Sequence, residues 1–169
     1  ARQIVGQWMS VPEVLAELER DVPFYDESGG GVTISGGEPL QQYGFLLELL
    51  RACKQQNLHT VLDTCGYSSW RRIYAVSPYV DVFLYDLKLI DDSLHHQFTG
   101  VSNKLILQNL RRLLQTGRQV IVRVPVIPGV NDAEEHLHQL AAFIGELPVM
   151  PQVELLPYHR AALGKYERL

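Results

Sequence analysis

Two stretches of this chain, VDVFLYDLK over residues 80–88 and QVIVRVPVI over residues 119–127, are apolar at nearly every position. A strand with one wet face alternates apolar with polar residues. Runs this uniform therefore predict strands buried on both faces, as in a parallel sheet. Parallel strands need long crossovers between them, and the rest of the chain supplies helical patterns of the right length.

Strands are predicted at residues 32–35, 59–64, 80–87, 119–126 and 153–157. Ahead of the first, Ser10 with Glu13 fits a capping box, and Val11, Leu15, Leu18 and Val22 recur at helical spacing. The SGGG run over residues 28–31 ends that helix. Leu40, Leu46, Leu47, Leu50 and Cys53 suit a second amphipathic helix, and further helices are expected at 70–76, 92–98, 104–116 and 133–147. Gly117 is placed to stop the fifth of these, and PGVND over residues 128–132 reads as a loop. The fold class is α/β, with right-handed crossovers, and the sheet is either open and doubly wound or part of a β/α barrel. Five strands do not close a barrel, no G-x-G-x-x-G opens the chain, and no strand precedes the first helix. The chain is therefore expected to be part of a longer protein.

At 169 residues, 46% hydrophobic and 20% charged, the chain suits one globular domain. A net charge of -4 gives no reason to expect nucleic acid or an anionic membrane as partner. No apolar run reaches the ~18–20 residues of a membrane span. Two cysteines, Cys53 and Cys65, build no disulfide framework and fit a reducing compartment, so the cytoplasm is the expected setting.

Every predicted strand ends in residues capable of binding or chemistry. These are Ser35-Gly36-Gly37-Glu38-Pro39, Asp63-Thr64-Cys65-Gly66, Asp86-Leu87-Lys88, Arg123 ahead of Pro128-Gly129, and Pro157-Tyr158-His159. Ligands of α/β sheets and barrels bind at the carboxyl ends of strands, where the βα loops converge. Gly36 and Gly37 let backbone approach a ligand. Glu38 either accepts from an ammonium group or lies in a helical first turn ahead of Pro39; residue types leave both open. Asp86 and Lys88 alternate along a strand and so share a face. Asp63 adds a second carboxylate, which requires a cation, a proton or a basic group between the two. A small hard cation, a zwitterionic ligand or a buried salt-bridge network each satisfies that. Arg123 sits mid-strand in apolar surroundings and needs an anionic partner. His95 and His96 fall on a polar helix turn and read as solvated, Cys53 as core, and Cys65 as a loop residue that could be exposed. Two cysteines twelve residues apart make a poor metal site.

VTISGGEPL, LDTCGY, LYDLK, HHQFTGVSN, VRVPVIPGVND and ELLPYH, in this order, resemble the radical S-adenosylmethionine enzymes that activate glycyl-radical enzymes. The likeness runs from residue 32 to at least residue 166. It implies a partial (β/α)6 TIM-like barrel whose second to sixth strands are the five present here, the first strand being absent. Residues 1–31 resemble the linker and helix that follow a ferredoxin-like insert in larger members. The resemblance assigns Gly36, Gly37 and Glu38 to the amino group of S-adenosylmethionine, and Asp86, Leu87 and Lys88 to the same cofactor. His159 becomes a cofactor contact, and Arg123 a barrel-interior group orienting cofactor or substrate peptide. Asp63, Thr64 and Asp86, with the Leu87 backbone, match positions that hold a monovalent cation.

One departure is large. The C-x-x-x-C-x-x-C loop that binds the family's [4Fe–4S] cluster is absent, and neither Cys53 nor Cys65 replaces it. The expectation is a fragment that binds no cluster itself, within a parent oxidoreductase. In that parent the cluster, fed by a flavodoxin or ferredoxin-type donor, would cleave S-adenosylmethionine reductively, and the resulting radical would take a glycine hydrogen from a partner enzyme. The partner would present that glycine on an extended loop, with Arg123 and the PGVND loop as contacts. Two other readings of the residues are an aldolase-like barrel with Lys88 as Schiff-base nucleophile and a non-catalytic binding module that lacks a cluster.

Overall fold

The computed structural model describes residues 6–158, and His159 lies outside the described residues. Within them, α1 (Val11–Glu19) and α2 (Val22–Ser28) lead into β1 (Val32–Ile34). A short 3-10 turn, Pro39–Gln42, precedes α3 (Tyr43–Gln55), β2 (Thr60–Thr64), α4 (Trp70–Val76) and β3 (Val82–Asp86). Then come α5 (Asp92–Thr99), α6 (Lys104–Gln115), β4 (Gln119–Val126), α7 (Glu134–Gly145) and β5 (Gln152–Pro157). The five strands form one sheet in sequential order, every neighbouring pair parallel. Sequential parallel order is the wrapping of a partial TIM-like barrel, and the expected α/β class holds.

The expected single helix ahead of the sheet is two. Pro23, at the second position of α2, lacks an amide hydrogen, and its ring would clash with the carbonyl of residue 19 in a continuous helix. The chain therefore breaks at Arg20–Asp21 and restarts. Ser10 does donate to Glu13, through both its amide and its hydroxyl at 2.7 Å. Gly117, at φ +73, ends α6 as the pattern required.

Burial of the sheet is one-sided. Leu62, Phe83, Tyr85, Val120, Val122 and Val124 lie in one core with residues of α3, α4, α6 and α7. Their strand neighbours Val61, Leu84 and Ile121 turn to the opposite face and are only half-buried. The uniformly apolar runs had predicted two covered faces. On the half-buried face the polar residues Asp63, Asp86 and Arg123 interrupt the apolar surface. A second, smaller cluster packs Val32, Leu49, Cys53 and Leu58 against α1 and α2, which confirms Cys53 as core.

Two glycines are set by close approach, Gly31 against the His59 carbonyl and Gly66 against Tyr85. Gly66, just past β2, has φ +70, and a Cβ there would fall 1.8 Å from the hydroxyl oxygen of Tyr85. That hydroxyl is buried and donates to the Ile106 carbonyl at 2.7 Å. Among the described residues no helix is long and apolar enough to cross a membrane.

Candidate functional site

Parallel pairing places the ends of β2, β3 and β4 side by side. Asp86 is the register partner of Arg123, and Asp63 pairs with Leu84 two residues back on the same face of β3. The Arg123 guanidinium lies between the two carboxylates. It donates to Asp86 Oδ1 from Nε at 3.1 Å and from Nη2 at 2.7 Å, and Nη2 also donates to Asp63 Oδ1. Of the groups that could separate these carboxylates, the structure holds the basic one. Lys88 Nζ approaches Asp86 Oδ2 at 3.4 Å, and its side chain is 41% exposed, so it lies at the rim rather than buried. Ser35 Oγ donates to Asp63 Oδ2 at 2.8 Å and ties the end of β1 to the end of β2.

Glu38 does not project into this cluster. Its side chain accepts from the Leu40 amide at 3.1 Å as the N-cap of the 3-10 turn. It also accepts from Thr64 Oγ1 at 2.7 Å and from both the amide and the thiol of Cys65, each at 3.0 Å. Thr64 Oγ1 in turn accepts from the Gly66 amide at 3.0 Å. Cys65 is therefore half-buried, and burial, reinforced by the hydrogen bond to Glu38, pushes its thiol up to about 11. Gly36 has φ +134, and a Cβ on Gly36 or Gly37 would meet nothing within 4 Å. The turn is open on that side.

His95 departs from expectation. It is 3% exposed, with Nδ1 within 2.8 Å of the Val101 carbonyl and 3.0 Å of Thr99 Oγ1, and so fastens the end of α5. The polar turn was read as solvated because its neighbours are; the side chain itself faces inward, and His96 is exposed.

Three asparagines that the motifs did not single out hold the loops at this end. Asn131 Nδ2 donates to the Lys88 and Pro125 carbonyls at 2.8 and 2.7 Å. Asn103 Nδ2 reaches the Leu89 and Ile90 carbonyls, and Asn109 Nδ2 those of Gly66 and Ser68. Asn109 had a readable signal: it interrupts the apolar stripe Ile106, Leu110, Leu113, and a polar residue in a core stripe needs buried partners.

The open glycine turn beside anionic Asp63 and Asp86 and cationic Arg123 and Lys88 offers both signs of charge, as the zwitterionic end of S-adenosylmethionine requires. The [4Fe–4S] cluster does not fit the described residues. Among them no three His, Cys, Asp or Glu side chains group to hold a metal, Cys53 is buried in the smaller core, and the Cys65 thiol faces Glu38.

Residues 2–141 match the Radical SAM superfamily model. The choline trimethylamine-lyase activating enzyme of Oleidesulfovibrio alaskensis is 43% identical over 100% of this chain and 56% of its own length. The pyruvate formate-lyase-activating enzyme of Clostridium pasteurianum is 37% identical over 97% of this chain and 68% of its own. A crystal structure of a domain of pyruvate-formate lyase-activating enzyme from Bacteroides vulgatus superposes with a TM-score of 0.73 and 39% identity, over 78% of this chain and 82% of that one. The chain spans about half the length of most of the relatives it matches. The chain belongs to the radical SAM superfamily and, within it, to the activating enzymes of glycyl-radical enzymes.

Proposed function

We propose that this chain is the S-adenosylmethionine-binding part of the barrel in a longer activating enzyme that installs a glycyl radical on a partner enzyme. The observation that carries this is the convergence of Asp63, Asp86 and Lys88 at successive strand ends with Arg123 from the middle of β4, beside an open glycine turn. The radical SAM family uses S-adenosylmethionine and a [4Fe–4S] cluster. In this reading residues 1–31 join the barrel to a preceding part of the protein that brings the cluster, and a flavodoxin or ferredoxin-type protein supplies the electron.

The residues of this chain bind and orient. The Gly36-Gly37 backbone receives the cofactor's amino group, and Asp86 and Lys88 line its aminoacyl end. Leu87, whose side chain is buried in the core, contributes backbone only, and His159, outside the described residues, keeps the role that the resemblance assigns it. Bound S-adenosylmethionine supplies a radical source once an electron reaches it. Arg123, held between two carboxylates, keeps donors toward the site and orients the partner's glycine-bearing loop. A monovalent cation at Asp63, Thr64 and Asp86 would share both carboxylates with Arg123, whose guanidinium already bridges them, and would find the buried Thr64 hydroxyl committed to Glu38 and Gly66.

The test mixes the full-length protein, S-adenosylmethionine and reductant with candidate glycyl-radical enzymes and records the EPR spectrum. A glycyl-radical doublet is expected, reduced by Asp86→Ala or Arg123→Ala. No doublet with any encoded partner, together with turnover of the cofactor on a small molecule, would overturn the reading.

A further inference from the structure

Glu38 stands in the turn that the resemblance assigns to a ligand's amino group, yet its carboxylate is already filled. A carboxylate has about four lone-pair sites on its two oxygens. Oε1 accepts from the Leu40 amide and the Thr64 hydroxyl, and Oε2 accepts from the Cys65 amide and the Cys65 thiol. All four donors belong to the chain. Three of them come from the end of β2, twenty-six and twenty-seven residues away in sequence. An ammonium group would have to displace one of these donors, leaving a half-buried amide, hydroxyl or thiol without an acceptor.

We propose that Glu38 is a positioning residue, a latch between the β1 turn and the end of β2, and that it stays in place when the ligand binds. Cys65 is the part of the latch with no assigned role, since its thiol fills the last acceptor site. The consequence for the site is geometric. Ser35 Oγ holds Asp63 at 2.8 Å, and Glu38 holds Thr64 and Cys65, so the two residues flanking the open Gly36-Gly37 backbone are each tied to β2. The turn cannot swing away from Asp63 without breaking both ties. Amino-group recognition then falls to the glycine backbone and the strand-end carboxylates, with Glu38 acting from behind. The inference rests on the proposed S-adenosylmethionine site, and its test separates the two.

In the full-length protein, the alkylation rate of Cys65 by N-ethylmaleimide is followed by peptide mass spectrometry, which reads it apart from other cysteines. A thiol held as a donor to a carboxylate reacts slowly. Glu38→Gln should raise the rate about tenfold or more without ligand, because the amide offers one oxygen where the carboxylate offered two. An unchanged rate in that variant overturns the latch, whether or not the cofactor binds. With wild type, S-adenosylmethionine binding is measured by equilibrium dialysis in the same samples. No binding overturns the proposed site and leaves the latch to be judged on Glu38→Gln. Given binding, a Cys65 rate that is unchanged or lowered supports the latch, and a rate that climbs toward the Glu38→Gln value shows Glu38 moving to the ligand and overturns it. Cys65→Ala should weaken cofactor binding about fivefold, although Cys65 does not reach the ligand, and Cys65→Ser, which keeps a donor, should restore it. Equal affinity in wild type and Cys65→Ala would also overturn the proposal.

Discussion

Asp86 and Arg123 are direct register partners on adjacent parallel strands, and two donors of one guanidinium enter a single carboxylate oxygen of Asp86, at 3.1 and 2.7 Å. The same Nη2 also serves Asp63 on the far side of β3. One guanidinium thus bridges two strand-end anions across three strands, with Lys88 at the rim as the second positive charge. The three side chains are 19–25% exposed, so solvent screens them only in part.

Removing that cation should be costly because it leaves two half-buried carboxylates facing each other. Arg123→Ala is expected to destabilise the fold by about 2 kcal/mol, near the range for hydrogen bonds to charged groups. Arg123→Lys, a point charge without the fork, should recover less than half of the loss. A double-mutant cycle in urea denaturation checks it: with Asp63→Asn and Asp86→Asn already present, Arg123→Ala should cost clearly less. Additive losses would refute the bridging role.

Gly66→Ala tests the other close contact of this region. The added methyl would collide with the hydroxyl, Cζ and Cε2 of Tyr85, at 1.8, 2.2 and 2.7 Å, and at φ +70 the backbone itself disfavours a side chain. Tyr85 is fully buried and cannot move aside. The expected loss exceeds about 3 kcal/mol, or folding fails outright. Tyr85→Phe keeps Cζ and so should not rescue it, whereas Tyr85→Leu should do so in part, as read by thermal melts and soluble yield.

Much of this was legible in the residues and much was not, for identifiable reasons. Strand and helix placement follow from apolar runs of the right length, and Arg123's need for an anion follows from a charge set among valines. The runs leave a doubly wound sheet and a barrel both open, so the sequential strand order comes only with the family resemblance. Which anion it takes depends on register, which period-two patterning leaves unspecified. The capacity of Glu38 was likewise hidden, since its partners Thr64 and Cys65 lie far along the chain and only strand pairing brings them near. His95 was misjudged because a helix of eight residues, five of the other seven polar, carries too little periodicity to show which side faces in.

Asn109 should matter for the loop beneath the site. Its Nδ2 donates to the carbonyls of Gly66 and Ser68 at 2.9 and 2.8 Å, and it is fully buried. Asn109→Leu preserves volume but strips both carbonyls of their donor, at a cost of about 2 kcal/mol. Limited proteolysis should then show faster cutting at residues 66–69 than in wild type. Unchanged stability and cutting would mean that water replaces the amide.

His136 predicts a pH dependence. It sits in the first turn of α7, 6% exposed, and among the described residues neither ring nitrogen has a hydrogen-bond partner. Burial holds its pKa below the usual histidine value, opposed by the charge of Asp91, and the positive end of the helix adds to the disfavour of a cation. A histidine with a depressed folded pKa is neutral in the native state. Its stabilisation is complete above the unfolded value of about 6.5 and declines as pH falls below it, because the unfolded chain takes up the proton first. The melting temperature should therefore fall between pH 7.5 and 5.0 more steeply in wild type than in His136→Leu. Other titrating groups are common to both proteins and cancel in the difference. Parallel curves for the two would show that the imidazole is protonated alike in the folded and unfolded chain.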